Sequence, residues 1–153
     1  MRHLSISLLA AGFLSACANA PTVSEKDFDP LSVTQSRLGP QNLDTGQCGL
    51  FLWGQSEGKP LQFFQNTGTK KVIIPFRPGS SISRIASDRQ IIDGFFAEQV
   101  FDVDGLKMEV SLLVEEGRNV LKGIAVPTGR IVLAETSGRE TVIPVVGLYG
   151  CRN

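Results

Sequence analysis

Short apolar runs alternate with turn-forming residues along most of the chain, from residue 48 to its end. The first three runs occupy residues 50–53, 61–64 and 72–76, and each is followed by residues rich in Gly, Pro, Ser or Asn. Runs this short, with turns at this spacing, predict a β-meander. Residues 82–92 are ambiguous, because their apolar positions fit either a short helix or a ragged strand.

The clearest element is a hairpin around Asp104-Gly105. Apolar and polar residues alternate on both sides of this dipeptide, over residues 101–104 and 106–112. Asp-Gly forms two-residue turns whose twist matches that of the flanking strands, and the alternation predicts one buried and one wet face. Asp102 and Asp104 also resemble the start of a calcium loop, but the further ligands that such a loop requires are missing.

The remaining chain continues the β pattern. Turn signals at residues 116–119, 127–129 and 137–138 separate apolar runs at 120–126, 131–136 and 141–146. Together the runs give eight or nine strands and no long helix. We therefore predict an all-β domain over residues 48–153, a compact antiparallel β-barrel or β-sandwich of about eight strands.

The N-terminus has a different pattern, typical of a secretory signal peptide over residues 1–16. Arg2 precedes an apolar stretch at residues 4–14, which is short of the ~20 residues that a transmembrane helix needs. An N-terminal core helix is the alternative. The stretch lacks amphipathic spacing, however, and ends in small residues rather than in a helix cap.

Leu14-Ser15-Ala16-Cys17 follows, and it resembles the lipobox of bacterial lipoproteins. In that family a diacylglyceryl group is attached to the cysteine thiol, and the signal is cut just before the cysteine. The resemblance implies that Cys17 is the lipidated first residue of the mature chain, anchored stably by several acyl chains. In Gram-negative lipoproteins an Asp after the cysteine favours inner-membrane retention. Ala18 in that position implies the periplasmic face of the outer membrane.

Residues 17–47 are predicted to form a flexible, lipidated tether. They are rich in Ser, Thr, Pro, Asn, Gln and Asp, and three prolines interrupt any regular element. In an alternative arrangement, part of this segment packs on the domain through three apolar side chains, Phe28, Leu31 and Val33.

Cys48 and Cys151 remain as an even pair once Cys17 carries lipid. In an oxidising compartment such a pair predicts a disulfide, with two unpaired buried thiols as the alternative. If the first and last strands lie side by side, their pairing would close the sheet and remove two edges. The run at 48–53 and the ending at 145–151 resemble a group of small uncharacterised Gram-negative lipoproteins, a resemblance that implies no activity.

Charge and composition narrow the function classes. The 15 basic and 15 acidic residues balance, so the basic surplus typical of nucleic-acid binding is absent. The only histidine is His3, within the signal peptide, which removes the usual base and metal ligand from the mature chain. Glu115 and Glu116 fit a solvated turn better than a glycosidase pair. We predict no catalytic residue, metal or cofactor.

Aromatic residues are the candidate partner site. Phe51 and Trp53 share one face of a strand, and the pairs Phe63-Phe64 and Phe95-Phe96 each point one ring to either face. The tether, loops or a partner must cover the outward rings. If a partner does so, the binding residues are these four: Phe51, Trp53, Phe64 and Phe96.

These observations favour a non-enzymatic, lipid-anchored envelope protein that binds or scaffolds an envelope protein or glycan. The alternative is a lipid-anchored inhibitor of a hydrolase such as lysozyme. Small lipid-anchored β-barrel proteins with a disulfide serve that role, but the loop motif of that family is not evident in this sequence.

Overall fold

The computed structural model describes residues 29–92, 94–115, 119–120 and 123–153. The predicted signal peptide, Cys17 and Phe28 lie outside these residues, as do residues 116–118 of the turn predicted at 116–119. Within them, a helix of six residues precedes nine strands. The elements are α1 (Pro30–Gln35), β1 (Cys48–Gly54), β2 (Leu61–Asn66), β3 (Val72–Ile73), β4 (Ile82–Ile92), β5 (Phe95–Val103), β6 (Leu106–Leu113), β7 (Asn119–Val120), β8 (Gly123–Ala134) and β9 (Glu140–Cys151). The predicted all-β class is confirmed.

All strand pairs are antiparallel and belong to one sheet, in the order β3-β2-β1-β9-β8-β6-β5-β4, with β7 added beside β8. The sheet curls into a nearly closed barrel, so that strands distant in this order meet across the interior. Phe63 of β2 lies 5.9 Å from Phe101 of β5, measured between ring centroids. Of the two architectures left open by the sequence, the barrel is therefore the one that forms.

The barrel interior contains a single apolar core. Leu50 and Leu52 of β1 are fully buried, whereas Phe51 and Trp53 between and beyond them are half-buried on the outside. Alternate residues of β5, β6, β8 and β9 are likewise buried and point into the interior. Alternating apolar residues on antiparallel strands thus point to a shared interior, as the period predicts.

The sheet consists of two parts that meet at β1 and β9. The part β3-β2-β1 comes from the first third of the described domain, and the remaining strands form the rest. Cys48 lies opposite Cys151 in the β1–β9 register, and their sulfur atoms form a disulfide. The predicted pair is confirmed. The prediction that this pairing closes the sheet is wrong, because β2 and β3 extend the sheet beyond β1 and leave its edges at β3 and β4.

Of two predicted turns, one forms and the other does not. Asp104 and Gly105 have φ values of 50° and 83° and connect β5 to β6. The prediction of a turn at residues 127–129 is wrong, because β8 continues through these residues with a shift in register between Val126 and Gly129. Pro127 has no N–H to pair, and a β-bulge is a position that tolerates this loss.

Two further strand predictions change. The ambiguous residues 82–92 form β4, which is irregular and largely exposed, with register shifts at Arg84/Ala86 and Gln90/Ile92. Bulges and charged side chains on an edge strand discourage pairing with other chains. The strand predicted at 72–76 is shorter, because β3 ends at Ile73, just before Pro75, which cannot donate to a ladder.

Residues 29–47 pack against β1 and β2, and Val33 of α1 joins the core cluster. The carboxylate of Asp29 caps α1 by accepting from the backbone N–H groups of Leu31 and Ser32. Val33 is buried, whereas Leu31 is 67% exposed. Of the three side chains predicted to pack on the domain, Val33 therefore does so and Leu31 does not. The third, Phe28, lies outside the described residues.

Further hydrogen bonds attach residues 36–47 to the domain. Leu38 N–H donates to the carbonyl of Leu61 at 2.8 Å, and the Arg152 guanidinium donates to the carbonyl of Leu43 at 2.8 Å. Residues 29–47 thus contribute packing to the domain, whereas the boundary drawn from the sequence lies at Cys48. Within the part of the chain described, no helix is long and apolar enough to cross a membrane.

Candidate functional site

Three of the four predicted aromatic residues meet on the outside of β1 and β2. The Phe51 and Trp53 rings are nearly parallel, with centroids 6.1 Å apart and an interplanar angle of 15°. Phe51 also contacts Phe64 at a centroid distance of 5.0 Å. Successive residues of a strand point to opposite faces, so this cluster forms because Leu50, Leu52 and Phe63 occupy the interior.

The segment that precedes β1 covers only one end of this aromatic cluster. Phe64 is 4% exposed, and a side chain added at Gly49 would meet both Leu43 Cδ2 and the Phe64 ring at 3.0 Å. Leu43 and Phe64 therefore lie close together over Gly49. Phe51 and Trp53 stay half-buried. The structure thus buries Phe64 within the chain and leaves Phe51 and Trp53 partly accessible.

Phe96, the fourth predicted residue, belongs to a different place. It lies on β5, four strands from β1 in the sheet order. The Arg84 guanidinium carbon sits 4.8 Å from the centroid of its ring, a geometry that favours a cation–π contact. Phe95, its neighbour, stacks on Tyr149 in the core at 4.8 Å. Phe96 therefore does not join the aromatic cluster.

Strand β9 extends the cluster with residues that sequence reasoning missed. Leu148 lies opposite Phe51 and Val146 lies opposite Trp53, and directly opposite residues of antiparallel strands share a face. All four side chains are half-buried. We call Phe51, Trp53, Val146 and Leu148 the outer apolar face. Its one sequence signal is the lack of polar alternation over residues 145–149.

A second candidate site lies where the barrel remains open. The sheet order ends at β3 and β4, and among the described residues no strand pairing joins these ends. Between them is a cleft of about 310 Å³, which we call the seam cleft. Its lining comes from β2, β3, β4, β5 and the turn between β2 and β3: Gln65, Lys70, Val72, Ile82, Arg84 and Phe101.

A buried pair of glutamines bridges the barrel at the seam cleft. Gln65 Nε2 donates to Gln99 Oε1 at 3.0 Å, and Gln99 Nε2 donates back to Gln65 Oε1 at 3.1 Å. Both side chains are at most 2% exposed. Each amide supplies the partner that the other needs, which is how buried polar groups avoid a large desolvation cost.

A third glutamine, Gln62, holds the segment containing α1 on the sheet. Its Nε2 donates to the carbonyls of Thr34 at 3.1 Å and Ser36 at 2.8 Å. Its side chain is fully buried, and its Oε1 has no partner among the described protein atoms. A depression near Thr34 is lined by the end of α1, by Arg37 and by the β1–β2 turn.

Candidate chemistry elsewhere is sparse. Cys48 and Cys151 are joined, so neither sulfur is a free nucleophile. In the described ranges, no three His, Cys, Asp or Glu side chains are grouped to hold a metal ion. Asp102 N-terminal to the β5–β6 turn accepts from Gly105 N–H at 3.2 Å, an ordinary turn contact.

Comparison with known protein families, with curated proteins and with solved structures found no match for this chain. The outer apolar face and the seam cleft therefore have to be interpreted from their own chemistry.

Proposed function

We propose that this chain is a non-enzymatic lipoprotein of the bacterial envelope, anchored through Cys17 at the periplasmic face of the outer membrane, whose β domain binds another envelope component. The observation that carries the proposal is the outer apolar face on β1 and β9. A strand with one buried face usually carries polar residues on the other. β1 and β9 are apolar on both faces, although their inner residues already fill the core.

The outer apolar face fits a protein partner. Aromatic anchors contribute most of the binding energy at protein interfaces, and Trp53 and Phe51 present two nearly parallel rings. Exposed apolar residues continue along β9, where Val142 is 54% exposed. A partner strand, helix or loop laid over β1 and β9 would bury this surface and gain about 25 cal/mol for each Å² of apolar area removed from water.

The anchor and compartment are supported by the lipobox sequence and by the disulfide. Disulfides persist mainly in oxidising compartments such as the periplasm, and Cys48–Cys151 is formed. Leu14-Ser15-Ala16-Cys17 is the sequence at which lipoprotein signals are lipidated and cut, and Ala18 carries no retention signal for the inner membrane.

The binding proposal is tested by crosslinking in intact envelopes followed by purification of the full chain. Trp53→Ser removes the larger anchor, and Ile85→Ser is the matched control, because Ile85 is 60% exposed on β4, away from the outer apolar face. We expect Trp53→Ser to reduce recovery of the partner at least about tenfold and Ile85→Ser to leave it unchanged. Thermal melts check that both variants are folded.

Equal recovery with Trp53→Ser and with the unsubstituted chain would contradict the proposal. A loss confined to Ile85→Ser would also contradict it, because the partner would then bind the β4 edge instead of the outer apolar face.

A further inference from the structure

We propose that the seam cleft is a binding site for small organic anions that carry a carboxylate on an apolar body. The site is separate from the outer apolar face, since its lining residues come from β2 to β5 and the β2–β3 turn. Its volume of about 310 Å³ is at the lower end of the range of small-molecule pockets. The class of ligand follows from the charges, hydrogen-bond donors and apolar surfaces of the lining.

The charge of the lining is positive. Lys70 and Arg84 both border the cleft, and within the described part of the chain no carboxylate lines it. Neither cation forms a salt bridge with a described acidic residue. Clefts lined by charges of one sign concentrate the electrostatic field and attract the opposite charge. An anion in the cleft would be attracted by both side chains.

Arg84 is held in place before any ligand arrives. Its Nη1 donates to Gln99 Oε1 at 3.3 Å, and the Phe96 ring supports the guanidinium at 4.8 Å. Gln99 is itself held by the reciprocal amide pair with Gln65. A guanidinium has five N–H donors in a planar fork, so this one bond leaves donors for a bidentate contact with a carboxylate.

The glutamine pair forms a polar layer in the barrel interior, two residues along β2 and β5 from the apolar contact of Phe63 with Phe101. Both side chains are buried and uncharged, and their amides hydrogen-bond to each other. They therefore serve as a neutral brace for Arg84 rather than as a counter-charge. A carboxylate in place of the Gln99 amide, which Arg84 contacts, would instead have paired with the guanidinium and occupied its donors.

The apolar part of the lining selects for an organic anion. Val72, Ile82 and Phe101 border the same cleft as the two cations. A hydrated inorganic anion gains nothing from such surfaces, whereas an alkyl or side-chain group beside a carboxylate would bury apolar area there. A short fatty acid and the C-terminal carboxylate of a peptide share this chemistry.

The test is calorimetric titration of the full chain, in the form in which cells produce it, with hexanoate, N-acetylleucine and inorganic phosphate. We expect at least one of the two carboxylates to bind and phosphate to bind at least about tenfold more weakly. Hexanoate bound in preference to N-acetylleucine would identify the fatty-acid source, and the reverse preference would identify the peptide source. No binding of either carboxylate, or equal binding of phosphate, would overturn the proposal.

Variants locate the bound carboxylate. Arg84→Gln and Lys70→Gln each remove one cation, and Arg130→Gln is the control, an exposed arginine on β8 outside the cleft. We expect each cleft variant to weaken binding about tenfold or more, the scale of a lost charge-assisted hydrogen bond, and Arg130→Gln to bind normally. If Arg84→Gln fails to fold, the exposed Lys70 decides the outcome alone. Unchanged affinity in Lys70→Gln would then overturn the proposal.

Discussion

Gly129 shows how one residue sets the packing between two strands. It lies where β8 resumes regular pairing after its bulge, opposite Leu112 of β6 and Val145 of β9. A Cβ at this position would lie 2.6 Å from Leu112 Cδ2 and 3.1 Å from the carbonyl oxygen of Ser111. The missing side chain therefore allows Leu112 to fill the core at this point.

We expect Gly129→Ala to lower the free energy of unfolding by about 1 to 3 kcal/mol, the usual cost of overpacking a core. A thermal melt would show this as a fall of several degrees in Tm. The matched control is Gly150→Ala on β9, where an added Cβ has no neighbour within 4 Å. Similar Tm values for the two variants would show that Leu112 moves aside without cost.

At the scale of elements, the pairing of β1 with β9 connects parts of the sheet that are far apart in the sequence. Seven residue pairs join the strands, from Cys48 opposite Cys151 to Gly54 opposite Val145. The cysteines are separated by 103 positions, so the chain closes nearly the largest loop that the domain allows. Local backbone preferences contribute little to such a long-range contact. The disulfide lowers the entropy of the unfolded chain, so that less entropy is lost when β1 and β9 pair.

Replacing both cysteines, Cys48→Ala with Cys151→Ala, should lower the free energy of unfolding by about 3 to 5 kcal/mol, as expected for a loop of about a hundred residues in the chain-entropy model. Urea denaturation measures the change. Reductant should destabilise the unsubstituted chain similarly and have no further effect on the double variant. An unchanged urea midpoint would mean that β1–β9 pairing does not depend on the bond.

At the scale of the whole molecule, the predicted anchor sets how far the domain can lie from a membrane. Eleven residues separate Cys17 from Asp29, the first described residue. Fully extended, they reach on the order of 40 Å. Residues 29–47 lie on β1 and β2, so the reach is shorter than that of a tether running to Cys48.

We expect Cys17→Ala to move the full chain from the detergent phase to the aqueous phase in a phase-partitioning experiment, because lipid attachment requires the thiol. Asn19→Ala, which lies outside the lipobox, is the control and should stay in the detergent phase. If the unsubstituted chain and both variants all partition into water, the interpretation of Cys17 as a lipidated residue is wrong.

The sequence predicted part of the candidate site. The period of two placed Phe51 and Trp53 on one face of β1 and Phe64 opposite Phe63. It did not indicate that Leu148 and Val146 complete this face, because the register of β1 against β9 depends on a pairing across the whole domain. The sequence also grouped Phe96 wrongly with the rings of β1 and β2. The period of two shows that a ring points away from the barrel interior, but it does not show which other outward side chains lie beside that ring.

The sequence by itself determined the β class, most turns, the β-hairpin at Asp104-Gly105 and the cysteine pair. The β class follows from the period of two, and the turns and the hairpin follow from local backbone preferences. The cysteine pair follows because two cysteines remain once Cys17 is assigned to the lipid. Only the tertiary structure decided the strand order, the opening between β3 and β4 and the seam cleft. Gln65 and Lys70 belong to the β2–β3 hairpin and Arg84 belongs to β4, and no local pattern relates Arg84 to that hairpin. They meet because curling of the sheet brings β2 to β5, and curling is a property of the complete set of strand contacts.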